Sequence, residues 1–81
     1  MRIEVRLFAT LAPFLPPDGR DGAAILEIPE GSTVHDVVRR LGIPSDFERV
    51  MLLNGGDSAP DVPLHPGDVV TIFPPLAGGV R

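Results

Sequence analysis

The sequence predicts an α+β domain: a mixed sheet of four to five strands with one principal helix packed on one face. Three observations carry that expectation: an alternating N-terminal segment, a capped amphipathic repeat near the middle, and two β-rich runs after it, each beside a turn signal. Two initial strands, a helix across them and a last strand inserted beside the first is the economical way to cover such a sheet on one face.

In Arg2-Ile3-Glu4-Val5-Arg6-Leu7-Phe8 the apolar Ile3, Val5 and Leu7 alternate with the charged Arg2, Glu4 and Arg6, the pattern of a strand with one covered face. Phe8 is the exception, because by parity it belongs with the charged residues. Thr10 to Leu15 suits one or two helical turns: Thr10 can cap, the early Pro13 is tolerated, and Leu11, Phe14 and Leu15 share a side. Pro16-Pro17-Asp18-Gly19 stops these turns, and the polar run to Gly22 reads as a surface loop. A second strand is expected over residues 23–28, then a turn at Pro29-Glu30-Gly31.

The helix signal is clearer. Val34, Val37, Val38 and Leu41 recur at i, i+3, i+4 and i+7, while His35, Asp36, Arg39 and Arg40 face away. Thr33 can cap the start, Asp36 complements the positive helix end, and Gly42 supplies a left-handed stop. Spacing and caps agree against the weak helix propensity of valine. Val50-Met51-Leu52-Leu53 then reads as a strand leading into the turn Asn54-Gly55, with Gly56 and Asp57 extending the loop. Pro66-Gly67 suits a type II turn, Val69 to Phe73 is the last strand, and Pro74 ends it.

Eighty-one residues make one domain, too small for a deep, self-contained enzyme pocket. With no cysteine, thiol nucleophiles, disulfides and zinc-thiolate sites are excluded, and His35 and His65 have no ligand cluster around them. Acidic residues exceed basic ones, giving a formal net charge of −4, and the arginines are scattered except for Arg39-Arg40. There is neither a phosphate-tracking stripe nor a base-stacking platform, so nucleic acid is not the expected partner. No apolar run reaches membrane-span length and no signal-peptide pattern opens the chain, so the expected setting is the cytoplasm, with no membrane contact.

The last residues carry a chemical handle. Pro74-Pro75 give a stiff, extended exit from the body. Gly78 and Gly79 lack a Cβ and fit a channel too narrow for other residues. Residues 1–75 are therefore expected to form the domain and residues 76–81 a flexible tail containing Gly78-Gly79. At its root, Phe8 and Phe73 are expected to form an apolar docking patch, extended by Met51 or Leu53 according to register. Arg39 and Arg40 read as solvated helix-end charges and Asp68 as a turn residue satisfying nearby amides. Asp57 and Asp61 form no paired-carboxylate constellation.

The ordered set strongly resembles the ubiquitin-like β-grasp sulfur carriers, which include the small subunit of molybdopterin synthase and the thiamine-pathway sulfur carrier. It is carried by Leu7-Phe8-Ala9, by Thr33 with Val37 and Leu41, by Asn54-Gly55, by Leu64-His65-Pro66-Gly67-Asp68-Val69-Val70, and by Phe73-Pro74-Pro75-Leu76-Ala77-Gly78-Gly79. The Leu7-Phe8-Ala9 and Phe73 to Gly79 segments look more like the molybdopterin synthase branch.

That resemblance implies carrier chemistry. An ATP-dependent adenylating enzyme of the ubiquitin-activating type, using ATP and Mg, would activate the carboxylate of Gly79, and a sulfur donor would convert it to a thiocarboxylate. Gly78 would be the slim approach, while Phe8, Phe73, Pro74, Pro75, Leu76 and Ala77 would meet the partner. The large subunit of molybdopterin synthase would receive the tail, or thiazole synthase in the thiamine branch. The chain itself would bind no cofactor or metal. Val80-Arg81 blocks the Gly79 carboxylate, so a tail-processing protease is implied. The competing reading is a β-grasp docking module that is never activated, and a third is attachment to protein amines.

Overall fold

The alternation read in the N-terminal segment forms the interior strand β1, Arg2–Leu7, with Ile3, Val5 and Leu7 almost wholly buried. The computed structural model describes residues 1–75. The expected tail, Leu76 to Arg81 with Gly78 and Gly79, lies outside the described residues. After β1 come β2 (Ala23–Glu27), the helix α1 (Val34–Leu41), β3 (Val50–Leu53), β4 (Gly56–Asp57) and β5 (Val69–Phe73). The sheet order is β2-β1-β5-β3-β4, with β1 and β5 parallel and the other neighbours antiparallel. A parallel pair requires a crossover, and here α1, β3 and β4 provide it.

α1 has eight residues and four valines or leucines, so packing rather than propensity holds it. Val34, Val37 and Val38 are buried against the sheet. Thr33 accepts from the Asp36 amide at 3.2 Å, while Asp36 accepts from the Thr33 amide at 2.9 Å, a reciprocal capping box. The next free donors, Val34 and His35 N–H, reach the carbonyls of Val62 and Pro60. Gly42 closes the far end at φ 83°, as its position after Leu41 predicts.

Three details differ from the sequence reading. Ala9–Phe14 is a 3-10 helix capped by Phe8 without a side-chain bond, so Thr10 lies inside it rather than capping it. Its anchor is Leu11, buried in the core, and it packs on β1 and β5. Gly56 and Asp57 are not loop but the short strand β4, because Asn54 (φ 52°) and Gly55 (φ 88°) turn tightly enough to pair Leu53 with Gly56. The run before β2 likewise ends in a tight turn at Asp21-Gly22, where Arg20 and Ala23 exchange both backbone bonds.

A polar clip ties the β3–β4 turn to the start of β5. The Asn54 side chain donates to Asp68 Oδ1 at 3.0 Å and accepts from the Val69 amide at 2.9 Å, while the His65 amide donates to Asp68 Oδ2 at 2.8 Å. The Asn54 amide and the His65 N–H hold the Asp68 carboxyl below the usual carboxylate range.

Two expectations follow for stability. Ile72 is fully buried at the centre of the sheet, so Ile72→Ala should cost about 2–5 kcal/mol in urea unfolding. Asp68→Ala should cost about 1–2 kcal/mol at neutral pH, since it removes charge-assisted bonds that are only partly desolvated. The Asp68 shift is downward, so its contribution is complete above about pH 4 and fades as pH falls through the lowered value. The gap between wild type and Asp68→Ala should therefore narrow when unfolding is measured at successively lower pH.

Candidate functional site

The helix covers one face of the sheet and leaves the other open. Strand parity decides which side chains stand there. Val70 and Ile72 are buried, so Val69, Thr71 and Phe73 lie on the open face of β5. The register sets Val50 opposite Phe73 and Leu52 opposite Thr71 on β3. On the other flank Leu7 pairs with Ile72, and the Phe8 amide donates to the Ile72 carbonyl at 3.3 Å, so Phe8 continues the strand beside Phe73. Phe8 is 47% exposed, while Phe73, Val50 and Leu52 are half-buried. The result is an apolar patch at the end of the sheet where Pro74 and Pro75 leave, both half-buried.

Phe8 and Phe73 are thus brought together as expected, but the patch grows by Val50 and Leu52. Met51 and Leu53, the residues anticipated for that role, pair with Ile72 and Val70 and pack against the core instead. Leu76, Ala77, Gly78 and Gly79, expected in docking and chemistry, lie outside the described residues.

Away from the patch, the open face becomes charged. Arg6 bonds Glu4 and Arg2 bonds Glu27, both across exposed surface. The Arg2 hydrogen bond holds the Glu27 carboxyl low, and Glu27 in turn holds the Arg2 guanidinium proton more firmly. The His65 side chain is largely exposed, and its Nδ1 stands 3.9 Å from Asp68. Asp57 and Asp61 are exposed and Asp36 is occupied by the capping box. Among the described residues no group of three or more His, Asp or Glu side chains could hold a metal ion, and no helix is long and apolar enough to cross a membrane.

Sequence reasoning missed Arg49. It directly precedes β3 at the tail-root end of the sheet, donates from Nη1 to the Phe47 carbonyl at 2.8 Å, and buries an Nε that has no partner among the described residues. Phe47 in turn meets Phe14 edge to face at 5.8 Å. The charge of Arg49 was visible in the sequence, but its burial depends on packing between segments far apart in the chain.

An open β-sheet of this order with one helix across it defines a ubiquitin-like β-grasp protein, and the solved structures agree. SAMP1 from Haloferax volcanii superposes with a TM-score of 0.75 at 24% identity, over 98% of this chain and 100% of that one. The Haloferax volcanii HVO 2177 protein gives 0.78 at 27% identity, over 98% and 87%. The complex of subunits 1 and 2 of molybdopterin-converting factor from Helicobacter pylori contains a chain that superposes at 0.64 and 20% identity, over 98% and 100%. No protein with curated function matches. The family model for Mut7-C ubiquitin matches residues 1–78, and the chain belongs to that family.

Because about half of the Phe8 side chain is already in water, Phe8→Ala should leave the fold standing. Its unfolding free energy should change by about 1 kcal/mol or less, well below the cost of truncating a buried core residue, as read by chemical denaturation.

Proposed function

We propose that this protein is a cytoplasmic sulfur carrier whose reactive group is the carboxylate of Gly79. The reading is carried by one observation: the apolar surface of Phe8, Phe73, Val50 and Leu52 gathers at the sheet end from which the chain leaves toward Gly78-Gly79. A partner seated on that patch holds the root of the tail, and two residues without Cβ lead into its active site. Val80-Arg81 must first be removed by a protease, since an amide at Gly79 offers no carboxylate.

The chemistry then runs in partners. A carboxylate is a poor acyl donor, so an adenylating enzyme of the ubiquitin-activating type uses ATP and Mg to join the Gly79 carboxylate oxygen to the α-phosphorus, releasing pyrophosphate. Sulfide-level sulfur from a donor attacks the acyl carbon, the acyl–oxygen bond to AMP breaks, AMP and the S–H proton leave, and a thiocarboxylate remains. The favoured acceptor is the large subunit of molybdopterin synthase. The Helicobacter pylori complex supports it, because there a chain of the same fold is described together with subunit 2. In this scheme Pro74, Pro75, Leu76 and Ala77 contact the partner, and the chain contributes a substrate group rather than a catalyst.

Intact-mass measurement tests the reading. Protein ending at Gly79, incubated with the activating enzyme, ATP and a sulfur donor, should gain the mass of one oxygen-to-sulfur exchange. Protein with Val80-Arg81 retained should not. A Gly79-ending form that binds its partner yet stays unmodified would establish a docking module instead, and mass appearing on protein lysines would point to attachment. Two variants refine the assignment. Phe8→Ala should weaken partner binding by about tenfold or more while remaining folded. Gly78→Val should bind normally and lose most of its adenylation, measured by pyrophosphate release.

A further inference from the structure

Asn54 is the only asparagine in the chain, which has no glutamine, and it stands directly before Gly55. That order sets a side-chain carboxamide beside the least hindered backbone nitrogen a protein offers, since glycine has no Cβ to shield it. Both residues are exposed in the β3–β4 turn, and no atom beyond the adjoining residues lies within 4 Å of where a Gly55 Cβ would stand. Water and base therefore reach the turn freely.

What restrains the pair is the clip to β5. The carboxamide nitrogen donates to Asp68 Oδ1 at 3.0 Å and its oxygen accepts from the Val69 amide at 2.9 Å, so both ends of the group are fixed. Asp68 is itself braced, because its second oxygen accepts from the His65 amide at 2.8 Å. For the Gly55 nitrogen to reach the carboxamide carbon, the side chain must rotate out of these bonds.

We infer that Asn54 is a deamidation site held latent by Asp68. When the clip opens, the Gly55 nitrogen gives up its proton to base and bonds to the Asn54 side-chain carbon, and the bond from that carbon to Nδ2 breaks. Ammonia leaves with the proton, and a five-membered succinimide remains. Water then opens the ring at either carbonyl, to aspartate or to isoaspartate, so the net change is amide plus water to carboxylic acid plus ammonia. Neither product can rebuild the clip. Aspartate presents an oxygen where Nδ2 donated, and two carboxylates then face each other. Isoaspartate also adds a carbon to the backbone of a turn that pairs Leu53 with Gly56, so β4 loses its register. The modification thus frees the β3–β4 turn from the start of β5, and refolding does not reverse it.

Full-length protein can be incubated in warm, mildly alkaline buffer and followed by intact mass. With a single carboxamide side chain present, each NH-to-O exchange reports position 54 alone. Asp68→Ala should deamidate about tenfold faster than wild type, the factor expected for losing a charge-assisted bond. Ile72→Ala loses more stability but keeps the clip, and should stay near the wild-type rate. A second measurement reads the clip directly. Asn54→Asp should lower the urea midpoint, and adding Asp68→Asn should restore most of the loss, because the exchanged pair can again make all three hydrogen bonds. Equal or slower deamidation in Asp68→Ala, an Ile72→Ala rate that matches it, or a double variant no more stable than Asn54→Asp would each overturn the proposal.

Discussion

The parallel pairing of β1 with β5 is the constraint on which everything else rests. It sets the first strand of the chain beside its last, deep in the sheet, with Val5 against Val70 and Leu7 against Ile72. Five of the most completely buried side chains belong to this pair, and the valines of α1 close over them. Because the strands run in the same direction, both leave the sheet at the same end. Phe8 and Phe73 therefore emerge together, although 65 positions separate them in the sequence. An antiparallel arrangement would have placed Phe8 at the opposite end from the exit of the chain.

The open face shows how a small sheet serves two physical demands. Toward β2 it is charged, with Arg2 pairing across to Glu27 and Arg6 pairing along β1 with Glu4, which keeps an uncovered sheet compatible with water. Toward β3 it turns apolar, and the change falls where Phe73 lies between Phe8 and Val50. Folding alone leaves those side chains half-buried or exposed, since the helix is on the other side.

What could be read from the sequence was what short-range chemistry determines. The alternation of β1, the valine spacing and capping box of α1, and the turns at Asn54-Gly55 and Pro66-Gly67 each need only a few neighbouring residues. The expected parity of Phe8 held for the same reason. The choice between Val50-Leu52 and Met51-Leu53 did not have a local answer. It depends on how β3 registers against β5, and a shift of one residue exchanges the two faces. β4 is two residues long and exists only because the Asn54-Gly55 turn returns the chain beside β3. The Thr10 cap failed because Phe8 remains extended beside β5, which moves the helix start ahead of Thr10. Arg49 belongs to the same class, since its burial is defined by segments that meet only after folding.

The two ends of β5 differ in the forces that meet there. The patch of Phe8, Phe73, Val50 and Leu52 has side chains but few free backbone groups, because β5 is paired on both flanks. It suits a preformed apolar surface. The start of the strand is the reverse: its hold is polar, made where the Asn54-Gly55 and Pro66-Gly67 turns meet through Asp68. Apolar burial is non-directional and tolerates small shifts of either side. A matched donor and acceptor fail when one nitrogen becomes an oxygen. Covalent change at Asn54 therefore bears on one end of β5, while Val70 and Ile72, buried between the two ends, keep the strand in the sheet.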